Sequence, residues 1–362
     1  MRFFKIIIFL GFFSAFLLNA ESNTCPPKKI TKADEDKKNS MKMYNSPARV
    51  DTNGWDFFIK GDFLYWQPLE EATDLGYLNR TSSSYELDDN NESVEAMDKD
   101  FKPAFKVAIG TGFDYDNWCL AAKYLFFHST QKQTLKNPNT DLYNIINYWA
   151  AIYEEDTNSI YGKWKLDMDI VDISLSRPCF VGKKLTLSPN LALNFGRINQ
   201  RYKTYESDHV DFWFFNYDLT RYSKSKSKSW LIGPKFGIEA DWLLGSGFSI
   251  KNNIFASLNY QSFKLDYKEK SASGSSESFQ QVTKRRVHQI FPTLEIFAGL
   301  NWGSYFCEND FHVDLALGYD FVFYANQNYM FSLVDANAKA NYKPFAGDLF
   351  LHGLSTSVRF DF

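Results

Sequence analysis

Beyond residue 20 the chain has no apolar run approaching the ~18–20 residues that a membrane-spanning helix requires, which excludes a helical membrane protein. It also has no excess of positive charge. Forty Lys and Arg stand against 43 Asp and Glu, a formal net charge of −3. Nucleic-acid binding favours a basic patch or stripe, and the balance gives it no support. The scarcity of aromatics and the high net charge that mark disorder are missing too. Aromatic residues make up 18% of the chain and charged residues 23%. Chemical motifs are missing as well: no CxxC, HExxH, GxSxG or Gly-rich phosphate loop occurs. The reading is therefore of a non-enzyme with no catalytic residues, cofactor or metal.

What is there begins with an export signal. Residues 1–20, MRFFKIIIFLGFFSAFLLNA, place Arg2 and Lys5 before thirteen apolar residues, Ile6 to Leu18, and end at Asn19-Ala20. That is a secretory signal peptide, and the apolar stretch is too short to span as an anchor. Removing it takes away two positive charges and leaves −5. Residues 21–54 are polar, dense in charge and broken by Pro and Gly, and read as a periplasmic tether.

From Trp55 the pattern has a period of two. In 101–116 Phe101, Phe105, Val107, Ile109 and Phe113 alternate with Lys102, Ala104, Lys106, Ala108, Gly110 and Gly112. Side chains on a strand point alternately to opposite faces, so one face is apolar and the other small or charged. Ten such segments run roughly over 55–66, 101–115, 118–128, 161–177, 184–198, 229–244, 248–263, 287–302, 310–324 and 348–362. Several exceed the ~5–6 residues usual in soluble sheets. In 161–177 the apolar phase runs Trp164, Leu166, Met168, Ile170 and then shifts to Ile173 and Leu175, which predicts a bulge near Ile170-Val171.

The connections alternate long (67–100, 129–160, 199–228, 264–286, 325–347) and short. An even strand count with loops sorted this way predicts an all-β transmembrane antiparallel barrel over 55–362, with about 10–12 strands, long extracellular loops and short periplasmic turns. Aromatics close both ends of the apolar phase: Trp118, Trp242 and Trp302 near the short turns, and Trp164, Trp230 and Phe323 near the long loops. The SKSKSKS run, 223–229, reads as a solvated loop.

The other phase would face the lumen. Its candidate lining residues are Lys102, Lys106, Lys163, Lys165, Lys235, Glu239, Glu295 and Asp320, with Lys123 and Asp314 in the same phase. The signs nearly balance, so a water-filled pore and an ion-paired, filled interior both fit; ~8 strands leave room for little beyond side chains. His128, His209, His288, His312 and His352 lie on different segments with no motif tying them to a nucleophile, and read as structural or rim histidines. Cys25, Cys119, Cys179 and Cys307 all fall on the periplasmic side, an oxidising compartment. Bridges between turns, cross-links to envelope proteins and free thiols stay open, because four cysteines allow three pairings.

The stretches GDFLYWQ (61–67), FKPAFKVAIGTGFDYDNWCL (101–120), WKLDMDIVDISLSRPCFVGKKLTLSPNLAL (164–193), SWLIGPKFGIEADWLLGSGFSI (229–250) and GDLFLHGLSTSVRFDF (347–362) resemble the Legionella-type major outer membrane proteins, with relatives in chlamydia-related bacteria. The resemblance covers essentially 55–362. It implies an exported, pore-forming protein of the bacterial outer membrane, in contact with membrane lipid and small solutes or ions, and assigns no catalytic or ligand residue. The rival expectation is a closed structural or adhesive barrel whose loops bind partners and whose periplasmic cysteines cross-link the envelope.

Overall fold

The structure, a computed structural model, describes residues 56–80, 93–97, 99–113, 117–138, 143–150, 157–212, 215–273, 276–306, 310–334, 341–344 and 347–362. The segments expected to be signal peptide (1–20) and tether (21–54), with Cys25 and Cys307, lie outside the described residues.

Alternating side chains need two different solvents, one on each face of the sheet. A sheet that closes on itself supplies both and leaves no unpaired edge in lipid. Ten strands do this: β1 (Asp56–Glu70), β2 (Lys102–Gly112), β3 (Cys119–Lys136), β4 (Thr157–Ser176), β5 (Leu185–Phe212), β6 (Phe215–Gly245), β7 (Phe248–Ser273), β8 (Ser276–Phe306), β9 (Phe311–Asn328) and β10 (Gly347–Asp361). Each pairs antiparallel with the next, and β10 returns to β1, where Phe58 faces Asp361. No helix occurs among the described residues. The ten segments of the sequence are these ten strands, in order. A short strand, Cys179–Val181, adds to β5 at a periplasmic turn.

The short turns are tight. Gly245 pairs with Phe248, so Ser246-Gly247 makes the whole β6–β7 loop, and both residues have positive φ (52° and 81°). That is the type I′ condition, which matches the twist of the flanking strands. Gly110 has a different reason to be Gly. A Cβ there would strike the ring of its cross-strand partner Phe58, whose other face carries the Arg359 guanidinium at 3.8 Å.

Three expectations are corrected. The predicted loops 199–228 and 264–286 are largely strand, because β5 to β8 run 26 to 31 residues. The SKSKSKS run is part of β6, with Ser223, Ser225, Ser227 and Ser229 buried inward. No bulge interrupts β4 near Ile170. Its pairing with β3 and β5 keeps one register from Ser159 to Ser176, so Ile160, Trp164, Leu166, Met168, Ile170 and Asp172 all point inward. Trp164 is therefore not part of an outer girdle, and Lys163 and Lys165 lie on the outer face, not in the lumen.

The outer surface is the apolar phase. Ile290 is 67% exposed, and Phe105, Ile109, Phe236, Leu258, Leu317 and Leu354 are comparably bare. On a water-soluble protein so continuous an apolar surface would aggregate. Around a barrel it is the lipid belt. Trp230 and Tyr260 meet at its long-hairpin edge, rings tilted by 57°, and Trp242 stands at the other.

Candidate functional site

The lumen has two halves of opposite chemistry. The half near the short turns is a charged chamber of about 200 Å³. Every strand contributes to it, because period two brings one inward residue per pair of positions from each. Its centre is a buried ion cluster. Lys235 donates to Asp172 at 2.9 Å and to Glu295 at 2.6 Å, and Lys123 reaches the same Asp172 oxygen at 2.9 Å. Asn194 satisfies the other Asp172 oxygen at 2.5 Å. Two cations against two carboxylates leave the cluster neutral. Buried charges of this kind hold only when paired and hydrogen-bonded. Toward the short turns Lys251 lies between Asp241 and Asp314, 3.9 and 3.8 Å away.

Solvent reaches this half in a gradient. The side chain of Lys60, near the mouth, is 35% exposed, Lys106 13%, and Lys235 3%. Asn190 Oδ1 and Ser355 Oγ, both lining the chamber, are shielded and have no hydrogen-bond partner. Such atoms keep water when space allows, and the chamber has room for several waters.

The half near the long hairpins holds an apolar plug, with a buried polar network beyond it in which Arg221 pairs with Glu206 at 2.6 Å and Gln200 donates to Glu70 at 3.0 Å. Trp66, Phe127, Trp164, Leu166, Met168 and Ile170 from the wall meet Leu75, Met97, Ile145, Trp149 and Met330 from the connections. Leu64 and Val322 belong to this plug and also line the chamber, so the chamber's roof is the plug's underside. Asp320 joins the halves: it accepts from the Trp66 indole at 3.3 Å and pairs with Lys106 at 3.9 Å.

The connections are fixed by specific contacts. Gly76–Arg80, Ser93–Glu95 and Tyr143–Asn147 form a three-stranded sheet. Trp149 stacks on the wall residue Tyr202 at 3.9 Å between centroids. Its indole donates to the Asp74 carbonyl at 2.7 Å, and its own carbonyl accepts from Tyr267 at 2.9 Å.

The structure sorts the residues chosen from sequence. Lys106, Lys235, Glu239, Glu295 and Asp320 surround the chamber. Lys102 pairs with Asp100 at 2.9 Å, away from it. Lys163 and Lys165 stand outside, Lys165 held by Asp167 at 2.8 Å. Asp172 was missed because the supposed phase shift hid it; an unbroken period through Ile170 places it inward. Trp149 and Met330 lie in connections, where no period marks a side chain as buried.

His312 lies in the lumen near the short turns, with Asp314 and Asp361 close enough to share an ion. Competing cations already hold both carboxylates: Arg359 binds Asp361 at 2.6 Å, and Lys251 lies 3.8 Å from Asp314. The trio thus lies within an ion-pair network of the chain's own cations. Cys119 lines the chamber and Cys179 lies in a short turn, and no disulfide forms among the described residues.

A closed ten-stranded barrel with an apolar outer belt, long hairpins on one side and tight turns on the other is an outer-membrane β-barrel. The chain belongs to the Legionella pneumophila major outer membrane protein family, whose model, described as the major outer membrane protein precursor, matches residues 48–362. Its place is the bacterial outer membrane. A search of curated proteins finds no match. Among solved structures the chain is similar to the outer membrane protease OmpT of Escherichia coli, at 8% identity over 88% of this chain and 99% of that one, TM-score 0.40. The transport unit of the autotransporter AIDA-I from Escherichia coli shares 9% identity over 92% and 99%, TM-score 0.28. The P. putida toluene transporter TodX shares 8% over 88% and 92%, TM-score 0.27. At these levels none of their activities transfers.

Proposed function

We propose that the protein is an outer-membrane pore for small polar solutes, shut in this conformation by its apolar plug. One observation carries the reading: a charged chamber of about 200 Å³ ends against a plug whose inner side chains come partly from connections, not only from the wall. A barrel serving purely as a closed scaffold gains nothing from a chamber with unpartnered buried oxygens, since an apolar filling is at least as stable. A plug seated on Leu75, Met97, Ile145, Trp149 and Met330 can leave while the strand ladder stays intact. The resemblance to a pore-forming family points the same way. The reading is of transport without catalysis.

Single-channel recording in a planar bilayer tests this. The wild type should show rare, small steps. Trp149→Ala, which removes the stack on Tyr202 and one indole hydrogen bond, should raise open probability at least tenfold. A silent bilayer for both, with folding confirmed by heat-dependent gel mobility, assigns the protein to the closed structural or adhesive class.

Envelope cross-linking is a separate proposal, favoured by Cys119 and Cys179 both standing at the short-turn end. Cys25→Ser should remove a disulfide-linked oligomer from non-reducing gels. Persistence of the oligomer would exclude Cys25 as the linker.

A further inference from the structure

On the outside of the barrel, beyond the lipid belt, five lysines face one another across five successive strands. Lys132 of β3 pairs with Lys163 of β4, Lys163 with Lys203 of β5, Lys203 with Lys224 of β6, and Lys224 with Lys268 of β7. All occupy the outward phase. Their strand neighbours Gln131, Trp164, Tyr202, Ser223 and Tyr267 are buried inward.

Like charges directly opposite on a sheet destabilise it, and four such pairs stand here in one unbroken row. Among the described residues none of the five ammonium groups has a carboxylate partner. The acids of this face, Asp167, Asp169 and Asp266, lie in rows nearer the membrane. Asp167 holds Lys165, and Asp169 meets Tyr124 and His128. Partial burial, and then the charges of Lys226, Arg201 and Lys203, bring the Lys224 ammonium, beyond the membrane span, down to about 8. Among the described residues the row has no counter-anion.

Its height says which anion. Lys224 lies six residues along β6 from Trp230 at the edge of the lipid belt, and Lys228 only two. At ~3.3 Å per residue the basic zone covers roughly 7 to 20 Å of strand beyond the girdle. The row nearest the girdle is basic too, since Lys228 pairs with Lys264 and Lys264 with Arg286. These side chains project sideways into the annulus of lipid headgroups, not upward into the medium. Basic clusters at that level attract anionic headgroups.

We propose that the outward lysine ladder binds the phosphate groups of outer-leaflet glycolipid, whose headgroups bridge strands β3 to β7. This stands independently of conduction through the lumen. The ladder gives the barrel one lipid-gripping side, and the bound headgroups cancel a repulsion that the bare protein carries.

The test uses the full chain folded in neutral detergent, titrated with bisphosphorylated lipid A in mixed micelles, with the same lipid after phosphate removal and with inorganic phosphate alone. The wild type should bind the phosphorylated lipid at least tenfold more tightly than the dephosphorylated one, and that preference should fall as salt rises. Lys203→Gln/Lys224→Gln should lose most of the preference, and Lys203→Arg/Lys224→Arg should keep it. Without lipid the Gln variant should melt no lower than the wild type, because repulsion has been relieved. Three outcomes overturn the proposal: a wild type that does not distinguish the two lipids, a Gln variant that still does, or inorganic phosphate stabilising the protein as well as the lipid at equal phosphate. Should the Gln variant not fold, Lys132→Gln/Lys268→Gln at the ladder's ends gives the same reading, expected at about half the loss.

Discussion

The two halves of the lumen are walled by the same ten strands, yet one is filled with ion pairs and the other, where it roofs the chamber, chiefly with aromatic and aliphatic side chains. Strand β4 shows the difference within one element. Its inward residues run Ile160, Trp164, Leu166, Met168 and Ile170, and the next inward position is Asp172. A single step of the pleat crosses from plug to chamber. The barrel wall sets where a side chain points and leaves its chemistry free. Connections able to fold back can fill only the half they reach, the one near the long hairpins. The other half, bounded by turns as short as two residues, must be filled by the strands' own long charged side chains and by water.

The largest expected effect breaks the charged half. Lys235→Met removes the buried cation shared by Asp172 and Glu295 and leaves the half-buried Glu295 without its partner. Breaking a buried pair from one side costs about 3–5 kcal/mol. Lys235→Met/Glu295→Met should recover most of that loss, since Asp172 keeps Lys123 and Asn194. Reversible unfolding in detergent, followed by gel mobility, measures both. In the apolar half Met168→Ala should cost about 2–5 kcal/mol through the cavity it leaves, and Met168→Leu less than about 1.5 kcal/mol. The halves thus differ in which repair works: a paired deletion in one, a volume match in the other. If Lys235→Met alone proves neutral, the cluster is hydrated in place and the contrast between the halves weakens.

The wall was legible in the sequence and the filling was not. Period two, loop sorting and aromatic ends gave ten strands in the right order, because burial on one face and lipid on the other act on every residue of a strand. The same signal failed on β4. Lipid-facing and plug-facing residues are both apolar, so Trp164, Leu166, Met168 and Ile170 looked like a lipid face, and a bulge was needed to reconcile them with Ile173. Two apolar environments on opposite sides of one strand defeat a rule that equates apolar with outward. The strand extensions were missed for a related reason. In SKSKSKS the period of two is intact, but beyond the membrane neither face is apolar. Trp149 and Met330 carry no period at all, and only the fold shows that they close the lumen.

The smallest effect sharpens the same point. Lys106 and Lys165 share a strand pattern in sequence, but Lys106 stands in the lumen over the Trp66 ring at 4.7 Å and Lys165 on the outer face. In the Trp149→Ala background, Lys106→Glu changes the charge beside the permeating ion by two units. At ~8 Å in a water-like medium each unit is worth about 0.5 kcal/mol, so a cation gains about 1 kcal/mol, an anion loses as much, and the cation-to-anion permeability ratio should rise about thirtyfold. Lys165→Glu makes the same change behind the wall, among screening headgroups and salt, and should leave the reversal potential where it was. Equal shifts from the two would mean that ions pass along the outer face or that β4 is turned the other way. No shift from either would remove Lys106 from the conduction path while leaving the barrel and its plug as described.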